Sequence, residues 1–254
     1  MMKNYRIMRK LAIIFIVAVL AFPLVSASVL EKPDWREGDY WKYKDMNRRG
    51  ISEERIIEIL GTENITVNNT TYHCIVAKEE TNTSKKISYY DEESIGVIKE
   101  VNYDNEANKT EEKIYDPPVS LIQYPVFVGK EWNITVEELK ANSTGKIRLD
   151  CIGKKKISVP AGTFDCYMVK TNQFPNESMN YYFYNIIYVS GRAGNIVRIE
   201  QYLRGNLTYS SELTSFHYTA GSEEQQSYNM VMIVVASIAV FVSLLALYKF
   251  KRKE

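Results

Sequence analysis

Cysteine is scarce in this chain: three residues in 254, at Cys74, Cys151 and Cys166. No C-x-x-C pair occurs, and the only histidines are His73 and His217. That removes the ligand spacing of a zinc site, and no metal is expected. Charge of one sign is lacking too. A formal net charge of +1 sets up no steering field for nucleic acid. No G-x-S-x-G elbow, H-E-x-x-H pair or P-loop appears, so no cofactor and no enzymatic activity is expected. The short "GRAG", Gly191 to Gly194, reads as a turn, because no helical pattern follows it. Asp39, Asp150 and Asp165 are the carboxylates open to a glycan-hydrolase reading. Solvated strand faces and turn caps account for them more simply.

Long uncharged runs are confined to the two ends. Lys3, Arg6, Arg9 and Lys10 precede an apolar run from Leu11 to Leu20, and Val25-Ser26-Ala27 follows. This is the order of a signal peptide over 1–27, cleaved after Ala27. The other reading of the same run is an uncleaved anchor. Near the opposite end, Met230 to Tyr248 is 19 residues without a charge, the length of one bilayer crossing. Lys249, Lys251, Arg252 and Lys253 follow and should stay cytoplasmic. The expected protein is single-pass in the cell membrane, its ectodomain outside. A polar stalk spans 222–229 and a cytoplasmic tail 249–254.

Between these ends, N-x-S/T occurs at Asn64, Asn68, Asn69, Asn82, Asn108, Asn133, Asn142, Asn176 and Asn206. Such a cluster fits a glycosylated exported domain, with these asparagines on loops or outward strand faces. An Asn/Thr-rich β-protein without glycans is the other explanation. In an oxidising compartment a Cys151–Cys166 disulfide across one hairpin is the favoured pairing, against three buried thiols.

What the ectodomain has in plenty is tyrosine, 19 residues, set among Val, Ile and Thr. It also repeats itself. At an offset of 92, Gly61 falls on Gly153, Val67 on Val159, Tyr72 on Phe164, Cys74 on Cys166 and Tyr89-Tyr90 on Tyr181-Tyr182. At 91, Gly38 and Trp41 fall on Gly129 and Trp132. We read two tandem β-meander repeats, 28–116 and 126–221, each of five strands. Pro117, Pro118 and Pro125 make 117–125 the linker. "SEERIIEIL" could open a helix at Ser52, but its partner "GKIRLDCI" alternates strictly, so both are strands. The corner in "SVPAGTFDCYMVK" needs Pro160 to fix φ and Gly162 to allow positive φ, where the first copy has Asn68-Asn69. The fold class is mainly β: an antiparallel curved sheet, open barrel or sandwich, plus one C-terminal transmembrane helix.

"WREGDYWKY", "PPVSLIQYPVFVGKEW", "SVPAGTFDCYMVK" and "YYFYN…GNIVRIE", in this order from Trp35 to about Leu203, resemble a family of prokaryotic, archaeal-type envelope proteins. The V-P-A-G-T-F corner is its most specific part. More distantly it resembles the open β-barrels of lipoprotein-localisation factors. The resemblance implies a curved sheet around a lipid-sized cavity and carries over no catalytic residue. The expected function is non-enzymatic binding of an apolar or amphipathic ligand, a lipid or glycolipid, or of an envelope component. Trp41, Trp132, Tyr181, Tyr182, Phe183 and Tyr184 are the candidate binding residues, since one face of the tyrosine-rich strand should be core and the other must meet something else. The alternative is a purely structural glycosylated protein packed against surface-layer neighbours.

Overall fold

A computed structural model of the chain describes residues 29–141, 143–172 and 183–220. The signal-peptide and transmembrane segments, together with Asn142, Asn176, Tyr181 and Tyr182, lie outside the described residues. Among the described residues no helix is long and apolar enough to cross a membrane.

Twelve strands follow one another: β1 (Tyr40–Asn47), β2 (Ser52–Val67), β3 (Thr70–Glu80), β4 (Ser84–Asp91), β5 (Val97–Asp104), β6 (Lys109–Val119), β7 (Glu131–Glu138), β8 (Ser143–Val159), β9 (Gly162–Asn172), β10 (Phe183–Ser190), β11 (Asn195–Leu203) and β12 (Asn206–His217). Each pairs with its neighbours in sequence, and β12 returns to β1, so the sheet closes into an up-and-down barrel. Closure removes the free edges that an open sheet would expose. The closing seam is long, with Tyr40 to Asn47 paired against His217 to Tyr209 and one register shift between Lys42 and Tyr43. The thin point lies elsewhere: β6 meets β7 only at Tyr115 and Glu138.

The expectation of five strands per half falls one short. β6 and β12 are the additions, and β6 runs on through Pro117 and Pro118 to Val119. Proline is tolerated there because this end of β6 has no ladder with β7 that needs its amide.

The two halves share several local features. Gly38 N donates to Ile59 O and Ile59 N to Asp39 O; Gly129 N donates to Cys151 O and Cys151 N to Lys130 O. Gly38 and Gly129 have φ of 88° and 90°, a region natural only to glycine. β2 shifts register against β3 at Leu60, and β8 against β9 at Ile152. Such bulges bend a strand. Beyond them the β2–β3 hairpin overhangs β4 and buries Val67 and Cys74 with Ile98. The β8–β9 hairpin overhangs β10 likewise, and Ile157, Phe164 and Cys166 join the cluster of Trp41, Tyr43, Val197 and Leu213. At the tips, Gly162 has φ 129°, and Asn68 and Asn69 have φ 47° and 65°. The corner residues therefore do what their types allow.

The disulfide expectation is corrected. All three cysteines are free and buried. Cys151 stands opposite Val169, and Cys166 opposite Lys155 on the far side of the bulge. The two thiols sit in different clusters, Cys151 with Leu149 and Trp132, Cys166 with Phe164. That separation along the ladder exceeds a disulfide's reach.

In an up-and-down barrel the connections alternate between two rims. The turns after β1, β3, β5 and β11 lie at one, here called the far rim. Residues 29–39, the 120–130 connection and the chain beyond His217 lie at the other, the terminal rim.

Candidate ligand-binding surface

Of the two readings of Trp41 and Trp132, core plugs or walls of a cavity, the structure has the first. Trp41 is fully buried, donates Nε1 to Ala193 O at 2.6 Å, and packs on Trp35 at 5.6 Å between ring centroids. Trp132 is buried in a second cluster, with Leu149 and Val169. Its Nε1 finds no acceptor, and Lys130 Nζ lies 5.5 Å from the ring. Neither lies with Phe183 or Tyr184, which are half-buried on β10.

The strand pairings instead unite Tyr184 with residues outside the expected set. Tyr184 faces Tyr202 on β11, and the rings stack 5.0 Å apart at 15°. Lys170 Nζ lies 4.7 Å from the Tyr184 centroid. Tyr202 in turn faces Leu207 on β12, while Phe183 faces Leu203. Arg204 and Gly205, at φ 52° and 77°, make the tight turn that sets Leu203 opposite Asn206 and Leu207 opposite Tyr202. There Arg48, Leu203, Arg204, Asn206, Leu207 and Thr208 line an open groove of about 540 Å³ at the far rim. Leu203 and Leu207 are both exposed, as are Met46 near the end of β1 and Ile51 in the β1–β2 connection. Alternation alone does not single out Leu207, because its sequence "NLTYSSEL" looks like any half-polar strand.

Below the stacked pair, Tyr188 and Tyr202 both donate their hydroxyls to Glu200, at 2.9 and 3.0 Å. Burial, and then the nearby carboxylate, push both phenols above their ordinary range, so both stay protonated donors.

A second polar feature crosses the first half, one residue per strand. Asp45 meets Arg55 at 2.8 Å, Arg55 meets Glu79 at 3.6 Å, Glu79 meets Lys86 at 3.4 Å and Lys86 meets Glu100 at 3.6 Å. Tyr115 closes the row by donating to Glu100 at 3.2 Å. Burial opposes the Arg55 charge, but the Asp45 hydrogen bond and the Glu79 field outweigh it and raise its pKa. The row alternates in sign, with each cation held between two carboxylates, so it is a structural tie between strands.

The carboxylates open to a hydrolase reading are kept apart. Asp39 is buried and accepts from Arg36 N, Thr219 N and Thr219 Oγ1 at 2.8–2.9 Å. Asp150 pairs with Arg148 at 3.1 Å, and the exposed Asp165 with Lys156 at 2.8 Å. Lys154 to Lys156 lie on β8 beyond the last residue that β7 covers, on an exposed edge. Among the described residues no group of three or more His, Cys, Asp or Glu is placed to hold a metal. The seven described sequon asparagines, Asn64, Asn68, Asn69, Asn82, Asn108, Asn133 and Asn206, are all exposed.

A smaller pocket of about 120 Å³ opens at the terminal rim between Leu30, Pro33, Tyr124, Val189, Ser190 and Tyr218.

The class of molecule so defined is a twelve-stranded up-and-down barrel with a side-chain-filled core and a surface groove. No family model and no curated protein matches the sequence, so the envelope-family resemblance rests on its quoted motifs. Two solved structures are similar in part. One is a candidate lipoprotein from Parabacteroides distasonis ATCC 8503, at 15% identity and a TM-score of 0.37, covering 75% of this chain and 100% of its own. The other is a candidate exported protein with a YmcC-like fold from Bacteroides fragilis NCTC 9343, at 12% identity and 0.37, with the same coverage.

Proposed function

We propose that this chain is a non-enzymatic binding module displayed on the outside of the cell membrane by a single C-terminal span. Its ligand is an amphipathic envelope component of the lipid or glycolipid type. The observation that carries the reading is the far-rim groove: apolar walls at Leu203 and Leu207, the Tyr184–Tyr202 platform beside them, and Arg48 at the lip. An apolar chain or sugar face would lie on the leucines and tyrosines, and an acidic headgroup would meet Arg48. The lipid-sized interior cavity that the localisation-factor resemblance implies is not part of this reading, because Trp41, Ile59, Leu149, Phe164 and Leu213 fill the core. That filled core favours the second reading, a structural glycosylated protein packed against surface-layer neighbours. Exposed sequons support glycosylation under either reading, and the paired glycines, bulges and overhanging hairpins support a tandem duplication.

Native mass spectrometry of the full chain, released from detergent micelles, tests the proposal. A discrete added mass that leaves on denaturation is expected for the wild type. It should be lost from the Tyr202→Ala/Leu207→Asp double variant at unchanged melting temperature. An adduct that survives the double substitution, or a wild type that carries none from its own membrane, would move the function to the structural reading.

A further inference from the structure

We propose that the terminal rim is seated on the lipid bilayer, with Val29, Leu121, Phe127 and Val128 among the headgroups; this rests on the membrane-anchored reading above. These four side chains are 40, 44, 46 and 51% exposed, an apolar cluster at the rim opposite the groove. It is held rigidly. Leu30 and Val126 exchange two backbone hydrogen bonds of 2.8 Å, which sets Val29 beside Phe127. Lys130 N returns to Phe127 O at 3.1 Å, and Ser120 Oγ donates to Ile122 O at 2.8 Å. A fixed apolar surface in water is unfavourable, so something covers it.

Chain connectivity points to lipid. β12 runs from the far rim to the terminal rim, and the described chain ends there at Ala220. Only residues 221–229 separate that point from the uncharged run at Met230. Nine residues reach at most about 32 Å when fully extended. The rim that carries Phe127 is therefore the one tethered closest to the membrane. Exposed sequons occur at both rims, Asn82, Asn108 and Asn206 in or beside far-rim turns and Asn68 and Asn69 at the β2–β3 tip on the terminal-rim side, so the apolar cluster and the tether, not the glycans, choose the face that meets lipid.

Single-cysteine labelling in the full chain, reconstituted in phosphatidylcholine nanodiscs, tests the seating. The native thiols are buried, and burial pushes Cys74 up to about 11 and Cys166 up to about 12, with Cys151 also raised. A maleimide dye with an environment-sensitive NBD group should therefore mark only an introduced residue. Val128→Cys should give blue-shifted emission, quenched at least about threefold more by doxyl-labelled lipid than Thr83→Cys at the far rim. Equal quenching at both positions would overturn the proposal. So would a blue shift at Val128→Cys that doxyl lipid leaves untouched, since another part of the chain, such as residues 1–28, would then be the cover. Failure of the full chain to enter nanodiscs at all would overturn the anchored reading itself, and is scored separately by co-elution.

Discussion

A single glycine decides how tightly the terminal rim closes. Gly194 has φ 61°, and a Cβ there would lie 2.5 Å from the Tyr218 ring. Its carbonyl accepts Trp35 Nε1 at 2.7 Å, and the Tyr218 hydroxyl accepts Asp34 N at 3.0 Å. Gly194→Ala must therefore bear left-handed strain of about 1–2 kcal/mol and overpacking of about 1–3 kcal/mol. A loss of roughly 3 kcal/mol lowers the melting temperature of a domain this size by about 6–12 °C. Gly205 is the control. It has φ 77° but open space where a Cβ would go. Gly205→Ala should cost only the strain, about 1–2 kcal/mol. Equal melting temperatures for the two variants, read by near-UV circular dichroism, would remove Tyr218 from the account of this rim.

Among the elements, the β6–β7 seam has the least ladder, so side chains matter more there than elsewhere. Glu112 on β6 takes Lys140 from the β7–β8 connection at 2.6 Å and Lys99 from β5 at 2.9 Å. The Lys140 hydrogen bond, then that of Lys99, holds its carboxyl down at about 2 against an ordinary 4.5. A depressed acid stabilises the fold fully above the ordinary value, and the contribution fades as pH falls toward 2. Glu112→Gln should accordingly be less stable than wild type at pH 7, with the two urea midpoints converging between pH 4.5 and 2. Because the pair is solvent-exposed, 1 M salt should shrink the gap. A gap that stays constant with pH would show that the substitution acts through packing.

The element scale also shows how far the sequence could be read. Strict alternation in "GKIRLDCI" identified β8, and the repeat carried that reading to β2. Left-handed positions were legible because Gly162, Asn68 and Asn69 are the residue types that tolerate them. β6 was not legible: "KTEEKIYDPPV" has charges on both faces and two prolines, and it forms a strand because β5 supplies a ladder over Lys109 to Ile114. The Cys151–Cys166 pairing failed because the hairpin turns at Pro160-Ala161, which sets Cys166 opposite Lys155 and leaves Cys151 farther down the ladder, opposite Val169. The groove lay outside reach as well, since Tyr184, Tyr202 and Leu207 meet only through two successive ladders.

At the scale of the molecule, the two halves do not have separate interiors. One cluster takes Trp41, Tyr43, Ile59, Ile75, Ala77 and Ile95 from the first half, and Ile157, Phe164, Cys166, Tyr188, Ala193, Val197, Leu213 and Tyr218 from the second. Polar ties cross the same boundary: Trp41 Nε1 to Ala193 O at 2.6 Å, and Tyr43 OH to Ile196 O at 2.8 Å. Burying one large apolar side chain contributes about 1.5–3 kcal/mol. Exposing even four or five by separating the halves would consume a typical total stability of about 5–15 kcal/mol. The sequence repeat is compatible with one barrel or with two domains, whereas closure through β1 and β12 makes each half the lid of the other. Fragments 28–119 and 120–221, expressed separately, should therefore lack dispersed amide resonances and should bind ANS. Produced together, they should regain the near-UV signal of the whole barrel. A half that unfolds cooperatively on its own would mean that the shared cluster is an interface between two finished domains, and the groove on β10–β12 would then be expected to work without β1 and its Arg48-bearing turn.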